Sequence, residues 1–194
     1  LTLNEISNGR AAVALSGGGG VLGACGWKIN SQQKEPWPLK DPIMLNRYPE
    51  RRVAGVREGI EVIKTARSGK LAYSYDGEIF QITRPFVMDW AKATDPLVYG
   101  CCSGPMMVRM GGRVADGVQL SDFTVAMMPE AMENLEKGWA LRDDKPEDFR
   151  IGNFWAWHMK DDIKVAMYEA RRELIWRGAI AGRYKDEIRP FCHD

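Results

Sequence analysis

The stretch PLVYGCCSGPMMVRMGGRVADGVQL, residues 96–120, decides the fold class of this chain. Its apolar run 96–102 predicts a strand, and Gly117–Leu120 predicts another strand after an amphipathic segment. Ser103 is a candidate N-cap for that segment, and Pro105 suits the first turn of a helix. Strands that alternate with helices in this way are typical of a parallel sheet, so the sequence predicts an α/β fold.

The same alternation continues on both sides of this stretch. Ala11–Leu15 predicts a strand after a helix end at Asn8-Gly9, and residues 71–83 predict a β-hairpin outside the main sheet with its turn at Asp76-Gly77. Short apolar strands of this kind suit burial on both faces. A helix is predicted over 50–69, with a core-facing stripe of Val53, Val56, Ile60 and Ile63. Another helix is predicted over 128–143, followed by a strand over 149–159. The last predicted helix covers 161–179, and its apolar side consists of Ile163, Ala166, Met167, Ala170 and Leu174.

The composition suits one core and argues against two classes of partner. The chain has 194 residues, of which 45% are hydrophobic, and this is enough for a single core of ordinary size. Its 27 Lys and Arg residues balance 26 Asp and Glu residues, so a basic surface for nucleic acid is not expected. The sequence has no run of 18 apolar residues, which argues against a membrane span.

Cysteine and histidine residues are few and widely spaced. The four cysteines lack the paired spacing of a zinc site, and His158 and His193 are far apart, so we predict no metal site. Because no secretion signal is visible, the thiols are expected to be free and the protein cytoplasmic.

Two predicted strand ends carry residues that suit an anion. Ser16, Gly17 and Gly18 follow the first strand, and glycines let backbone N–H groups approach a ligand closely; the alternative is a flexible turn without a ligand. Residues 101–104 join the second strand to a helix N-terminus, where unpaired N–H groups and the helix dipole favour a phosphate. The alternative there is a capped helix that binds nothing.

Three further polar side chains lie near predicted strand ends: His158, Asp116 and Asp122. His158 lies near the end of the strand predicted over 149–159 and is the candidate catalytic residue, since imidazole exchanges protons near neutral pH. The alternative is a histidine packed under the neighbouring aromatic side chains. Asp116 precedes its strand and is expected to be structural, whereas Asp122 follows the same strand and is better placed for chemistry, without an assigned role.

Four segments, in order, resemble the bacterial luciferase-like superfamily of flavin- and deazaflavin-dependent oxidoreductases. They are the helix end, strand and glycine-rich loop of residues 1–20, the helix and hairpin of 56–82, the strand, Gly-Pro and helix of 100–120, and the strand and helix of 149–174. The resemblance implies a partial (β/α)8 TIM barrel, of which the chain supplies about strands four to seven with their helices and a small hairpin excursion. It also implies that residues 1–194 are a single luciferase-like barrel domain, incomplete at both ends.

The glycine-rich loop and the SGPMM segment resemble the methylene-tetrahydromethanopterin reductase-like branch, which uses the deazaflavin coenzyme F-420. This implies hydride transfer between coenzyme F-420 and an organic substrate. An FMN-dependent monooxygenase is the first alternative, and a non-catalytic flavin-binding protein or partner subunit is the second. The implied partners are a small-molecule substrate and a second copy or a complementing chain, because an incomplete barrel has unpaired sheet edges.

The resemblance also assigns site residues. Cys102, Ser103 and Gly104, with Leu120 and Ser121 from the next strand end, would hold the phosphate of the cofactor. Cys101 and Cys102 would pack beside its ring rather than act as nucleophiles, because no base is adjacent in sequence. A rival reading as an open dinucleotide-binding sheet would require an acidic residue at a distance that this sequence lacks.

Overall fold

A computed structural model describes residues 1–17, 51–67, 73–86, 88–93, 95–143, 147–155 and 158–171. Strands and helices alternate along these residues, which confirms the predicted α/β order, and none of their helices is long and apolar enough to span a membrane. The elements are α1 (Thr2–Ile6), β1 (Ala12–Leu15), α2 (Arg52–Ala66), β2 (Tyr73–Asp76), β3 (Gln81–Phe86), β4 (Leu97–Cys102), α3 (Pro105–Val114), β5 (Gly117–Ser121), a 3₁₀ turn (Val125–Met127), α4 (Met128–Trp139), β6 (Arg150–Phe154) and α5 (163–171).

Four strands form one parallel sheet in the order β1-β4-β5-β6, while β2 and β3 form a separate antiparallel hairpin. In register, Cys102 pairs with Leu120, and Ser121 pairs with Phe154. All four strands therefore end at the same edge, termed here the carboxyl edge. Open and closed α/β sheets both bind their ligands at this edge.

Helices α2, α3 and α4 cover one face of the sheet. Side chains alternate along β4 and β5, and those that face the helices are fully buried. These are Val98, Cys102, Val118 and Leu120, which pack with Ile60, Val108 and Leu135 of the three helices. The opposite face, termed the inner face, carries the intervening residues Leu97, Tyr99, Cys101, Gln119 and Ser121, which are half-buried.

Helices α3 and α4 cross at two glycines. A Cβ atom on Gly112 would lie 2.9 Å from the carbonyl oxygen of Leu135. A Cβ atom on Gly138 would lie 3.0 Å from the amide nitrogen of Arg113 and would overlap the carbonyl oxygen of Arg109. Because backbone atoms cannot move aside as a flexible side chain can, this crossing requires glycine, although glycine weakens the interior of an isolated helix.

Asp116 ties α2 to β4 and β5 at the edge opposite the carboxyl edge. Its carboxylate accepts hydrogen bonds from the Val98 N–H at 2.9 Å and from Lys64 Nζ at 3.0 Å, and it pairs with Arg67. Burial would raise the pKa of this carboxyl, but the Val98 hydrogen bond and the two cations together hold the pKa below its usual value. The predicted structural role of Asp116 is confirmed.

Glu58 is a buried carboxylate on α2 that holds the hairpin turn. Its side chain is 1% exposed and accepts hydrogen bonds from the backbone N–H groups of Glu78, Ile79 and Phe80 at 3.2, 2.9 and 3.0 Å. The hydrogen bond from Phe80 is the main cause that lowers the pKa of Glu58, and burial opposes it. The predicted helix stripe did not include Glu58, because carboxylates are seldom buried without such partners.

The hairpin itself is confirmed, but its turn is displaced from the predicted Asp76-Gly77. Asp76 pairs with Gln81, and the Gly77 N–H donates to the Phe80 carbonyl oxygen at 2.9 Å, so the turn centres on residues 78–79. The Glu58 contacts explain the displacement, because one carboxylate collects the N–H groups of three successive turn residues.

The end of α1 and the start of α3 test the helix-capping residues that the sequence predicted. Asn8 and Gly9 have φ of 52° and 79° and close α1 as predicted. The predicted N-cap Ser103 is wrong, since Gly104 is the N-cap of α3 and no side chain caps this end. Pro105 gives the reason, because a residue before proline is driven out of the helical region and Gly104 is extended, with φ −166° and ψ 168°.

The prediction that the strands are buried on both faces is wrong at the two sides of the sheet. Val13 of β1 is 38% exposed and Ile151 of β6 is 40% exposed. The predicted apolar side of α5 is also largely exposed, since Ala166 is buried while Ile163 and Met167 are not. In the described ranges these elements lie at the periphery, so their apolar residues meet fewer neighbours than those of β4 and β5.

Gly138→Ala should destabilise the fold by about 1–3 kcal/mol, because the added methyl group overpacks the α3–α4 crossing. Gly55→Ala in α2 is the matched control, since a Cβ atom there meets only Ile79 Cδ1 at 3.7 Å. We expect the control to stabilise by about 0.5–1 kcal/mol through helix propensity. Urea unfolding followed by circular dichroism measures both, and equal effects of the two variants would contradict the proposed crossing constraint.

Glu58→Gln should destabilise the chain near neutral pH, with a penalty that shrinks in acid. Because the folded state lowers the pKa of Glu58 from 4.5, its carboxylate contributes stability above that value and loses it as the pH falls through the folded pKa. Unfolding measured stepwise from about pH 7 to about pH 3 tests this. Glu133→Gln, which removes an exposed pair with Lys137, should cost less throughout. A Glu58→Gln penalty that is independent of pH would refute the role of the charge.

Candidate functional site

Two serines lie at neighbouring strand ends of the carboxyl edge, Ser103 just after β4 and Ser121 as the last residue of β5. Because Cys102 pairs with Leu120, the next residues along the chain, Ser103 and Ser121, continue on neighbouring strands. Neighbouring strands lie about 4.8 Å apart, so the two residues are close neighbours along this edge. The register therefore places side by side the two strand ends that the resemblance assigns to one phosphate.

The start of α3 lies directly after Ser103 and presents backbone donors. Gly104 caps the helix without a side-chain hydrogen bond, and Pro105 in the first turn has no N–H to offer. The Val108 N–H already donates to the Gly104 carbonyl oxygen at 3.0 Å. By helix geometry the first-turn amides of Met106 and Met107 are the remaining donors, and with the helix dipole they suit a phosphate.

The two adjacent cysteines differ in surroundings. Cys102 is fully buried on the helix side, its Sγ lies 3.2 Å from the Met107 carbonyl oxygen, and burial raises the pKa of its thiol to about 12. Cys101 lies on the inner face, half-buried, and burial raises the pKa of its thiol as well. Neither environment supports a thiolate nucleophile. Since Cys102 and Leu120 face the core, only their backbone atoms lie at the edge.

The predicted glycine-rich site is described only in part. Leu15 pairs with Gly100, so the next residue, exposed Ser16, lies beside Cys101 on the neighbouring strand. A Cβ atom on Gly17 would lie 3.5 Å from Arg52 Cβ, an ordinary contact, so space does not require glycine there. Gly18 lies outside the described residues.

The loop after β5 is held by contacts that the sequence did not reveal. Asp122 adopts a positive φ of 59°, and its N–H donates to the Phe154 carbonyl oxygen at 3.1 Å. The Asn153 side chain then pairs twice with the backbone of Phe123, accepting at 3.3 Å and donating at 2.8 Å. A polar residue inside the apolar run of β6 was the available signal. Non-glycine residues with positive φ are enriched at functional sites, where the surrounding structure holds them.

A small pocket of about 10 Å³ lies between the start of α3 and α4. It has room for about one water molecule. Its lining includes Ser103, Gly104 and Phe123, together with the polar side chains of Glu130 and Asn134. The rest of its lining is apolar, from Pro105, Val108, Met127 and Ala131, so the pocket is a water-sized gap beside Ser103.

Below the edge, two polar side chains on the inner face lie across glycines of the next strand. A Cβ atom on Gly117 would lie 2.6 Å from the Tyr99 ring, and one on Gly152 would overlap the amide of Gln119. The absence of side chains at these glycines lets Tyr99 and Gln119 lie flat across the sheet. They form the inner-face layer nearest to Cys101 and Ser121.

His158 follows β6 and contacts a carboxylate of α5. Its Nε2 lies 2.9 Å from Glu169 Oε2, and its side chain is 15% exposed. Lys160 Nζ lies 3.2 Å from the same oxygen. The hydrogen bond from Lys160 is the main cause that lowers the pKa of Glu169, with a smaller contribution from His158 and an opposing one from burial. The predicted alternative was packing under the neighbouring aromatic side chains, of which Phe154 and Trp155 are exposed and Trp157 lies outside the described residues.

Nearly the whole chain, residues 1–191, matches one protein-family model, that of the luciferase-like monooxygenase. The chain belongs to the luciferase-like monooxygenase family. Membership confirms the superfamily resemblance that the four sequence segments predicted.

One relative with a curated description is the 5,10-methylenetetrahydromethanopterin reductase of Archaeoglobus fulgidus. It is 27% identical over 173 residues, which cover 88% of this chain and 45% of the relative. This chain therefore spans about half the length of the curated family member it matches.

Two solved structures are similar over 91% of this chain. An F-420-dependent secondary alcohol dehydrogenase in complex with an F-420–acetone adduct is 15% identical with a TM-score of 0.63, over 48% of its own chain. A coenzyme F-420-dependent tetrahydromethanopterin reductase from Methanopyrus kandleri is 22% identical with a TM-score of 0.64, over 50% of its own chain. At these identities the likeness shows the fold, and it confirms the predicted partial (β/α)8 barrel.

Cys101 and Cys102, two of the four cysteines of the chain, should resist alkylation in the folded state. Because burial raises the thiol pKa of both, iodoacetamide near neutral pH should label Cys102 only after unfolding and Cys101 more slowly than a free thiol. Mass spectrometry of Cys101→Ser and Cys102→Ser, each before and after denaturation, separates the two sites. Rapid labelling of folded Cys102 would show that its side chain does not face the core.

Proposed function

We propose that this chain holds the cofactor phosphate in an oxidoreductase that transfers a hydride between coenzyme F-420 and a small organic substrate. The observation that carries the proposal is the adjacency of Ser103 and Ser121 at the start of α3, which has no side-chain cap. Hydroxyl groups and helix-end amides are the donors that phosphates require. The residues present therefore fit the phosphate of a flavin-type cofactor.

The choice of coenzyme F-420 rests on the relatives. The curated relative is a 5,10-methylenetetrahydromethanopterin reductase, and the two similar structures carry F-420 in their descriptions. The bound coenzyme would supply the hydride chemistry itself. The chain would supply binding and orientation: Ser103, Gly104 and Ser121 at the phosphate with the backbone of Cys102 and Leu120, Cys101 beside the ring, and Ser16, Gly17 and Gly18 at the first strand end.

An FMN-dependent monooxygenase is the second candidate, and the family description favours it, since the matched model is that of a monooxygenase. FMN also carries a terminal phosphate, so Ser103 and Ser121 would serve either cofactor. The difference lies at the ring, where deazaflavin transfers hydride and reduced flavin activates oxygen.

A non-catalytic flavin-binding protein or partner subunit is the third candidate. Such a protein would use the same phosphate donors at Ser103 and at the start of α3 without turning over a substrate. In each case we propose that residues 1–194 act as one barrel domain in the cytoplasm, with a second copy or a complementing chain beside the exposed strands. An exposed parallel sheet edge is otherwise open to unwanted pairing.

Titration of the purified chain with coenzyme F-420 and with FMN, read by fluorescence, tests the phosphate site. Ser103→Asp should raise the dissociation constant at least about tenfold, or about 1.4 kcal/mol, because its carboxylate repels the phosphate. Ser74→Asp, which adds the same charge at an exposed residue of the hairpin, should leave it unchanged.

Equal weakening by the two variants would contradict a phosphate site at Ser103. Tighter binding of FMN than of coenzyme F-420 would favour the monooxygenase. Saturable binding without reduction or oxidation of the cofactor by any tested substrate would favour the non-catalytic candidate.

A further inference from the structure

Large side chains on the inner face come from alternate strands at successive levels of the register. At one level, Tyr99 and Arg150 lie on either side of Gly117, and the Tyr99 ring lies 2.6 Å from the position that a Cβ atom on this glycine would take. At the next level, Gln119 lies across Gly152. This alternation between strands is how the interior of a closed parallel barrel is filled.

Arg150 places a positive charge on the inner face. Gly152, across which Gln119 lies, is two residues further along β6, so strand alternation puts Arg150 on the same face. Arg150 is exposed, and in the ranges that the structure describes no hydrogen bond or ion pair engages its guanidinium. Closing a barrel over this face would take the guanidinium out of water. A cation buried without a carboxylate is strongly destabilising, so whatever closes the barrel must bring one.

The two outer strands carry apolar residues that a longer sheet and its helices would cover. Val13 pairs in register with Val98, and Ile151 pairs with Val118. The two central valines are fully buried, whereas Val13 is 38% exposed and Ile151 is 40% exposed. The two similar structures have the additional length that such a cover needs, since this chain covers 48% and 50% of them.

We propose that the inner face is closed by the other half of a luciferase-like barrel, termed here the complement, which places a carboxylate against Arg150. The complement is a segment other than residues 1–194. This proposal rests on the proposed function in one respect, because that function leaves open whether a second copy or a complementing chain lies beside the exposed strands. The charge of Arg150 decides between the two.

A second copy of this chain does not supply the carboxylate. The four strands of the described sheet contain no Asp or Glu. A two-fold axis along a barrel would also place Arg150 of each copy at the same level, as like charges. Asp116 and Asp148 precede their strands, and Asp116 is already paired with Lys64 and Arg67.

Binding of a defined complement tests the proposal. The probe is the part of the Archaeoglobus fulgidus relative that lies outside its match to this chain, produced as a separate polypeptide. Sedimentation and calorimetry without coenzyme should show saturable binding to the wild type. Arg150→Glu should raise the dissociation constant at least about 100-fold, because two carboxylates then meet in a buried site. Arg109→Glu, the same change of charge at an exposed residue of α3, should leave it unchanged.

A charge swap identifies the partner of Arg150. Each acidic residue of the complement is changed in turn to arginine and measured against the wild type and against Arg150→Glu. One of these changes should weaken binding to the wild type and restore most of the binding to Arg150→Glu, as expected for two groups in direct contact.

Four results would overturn the proposal. They are a wild type that does not bind the complement, equal binding by Arg150→Glu, the lack of any rescuing charge swap, and a wild-type dimer whose dissociation constant changes in Arg150→Glu. The last result would place a second copy on the inner face. Circular dichroism checks that each variant keeps the wild-type fold. Because no coenzyme is present, a chain that binds neither coenzyme F-420 nor FMN would contradict the proposed function alone.

Discussion

The carboxylate of Asp116 is the contact on which both the sheet and the site depend. It lies just before β5 yet binds the N–H of Val98 in β4, while Lys64 and Arg67 bring α2 to the same point. This bond fixes the register of two parallel strands at their starts. A slip of one residue between the strands would turn either Cys102 or Leu120 out of the core, and would also separate Ser103 from Ser121. The Asp116 contacts at the opposite edge therefore determine which residues lie side by side at the carboxyl edge.

Tightly packed regions and irregular backbone conformations lie in different parts of the fold. The tight packing lies on the helix side of the sheet, where Gly112 and Gly138 let α3 and α4 touch along their backbones. Irregular conformations lie at the carboxyl edge, in the extended Gly104 and the positive φ of Asp122. The Asn153 amide stabilises the second of these by bonding to Phe123 on both sides. A stable scaffold beneath irregular loops is the usual arrangement of a binding edge.

The spacing of apolar residues predicted the helices and strands, but it could not predict contacts between residues that are far apart in the sequence. The strands, the helices and the stripe of Val56 and Ile60 followed from spacing alone, because alternating burial leaves a mark on the sequence. Glu58 could not be predicted, since its burial depends on three N–H groups about 20 residues further along. The Glu169 partner of His158 was hidden in the same way, because the pair meets only when α5 folds back on its loop.

The polar side chains of the inner face restrict which groups can pack against it. Tyr99 and Gln119 lie across Gly117 and Gly152, half-buried, and an amide has both donors and acceptors to satisfy. Covering this face with an apolar layer would leave those groups unpaired, at a cost of about 1–3 kcal/mol for each. Whatever lies against it must therefore bring polar atoms, as the heterocyclic edge of a cofactor does. Gln119 of this chain therefore requires a polar contact in addition to the phosphate contact proposed at Ser103.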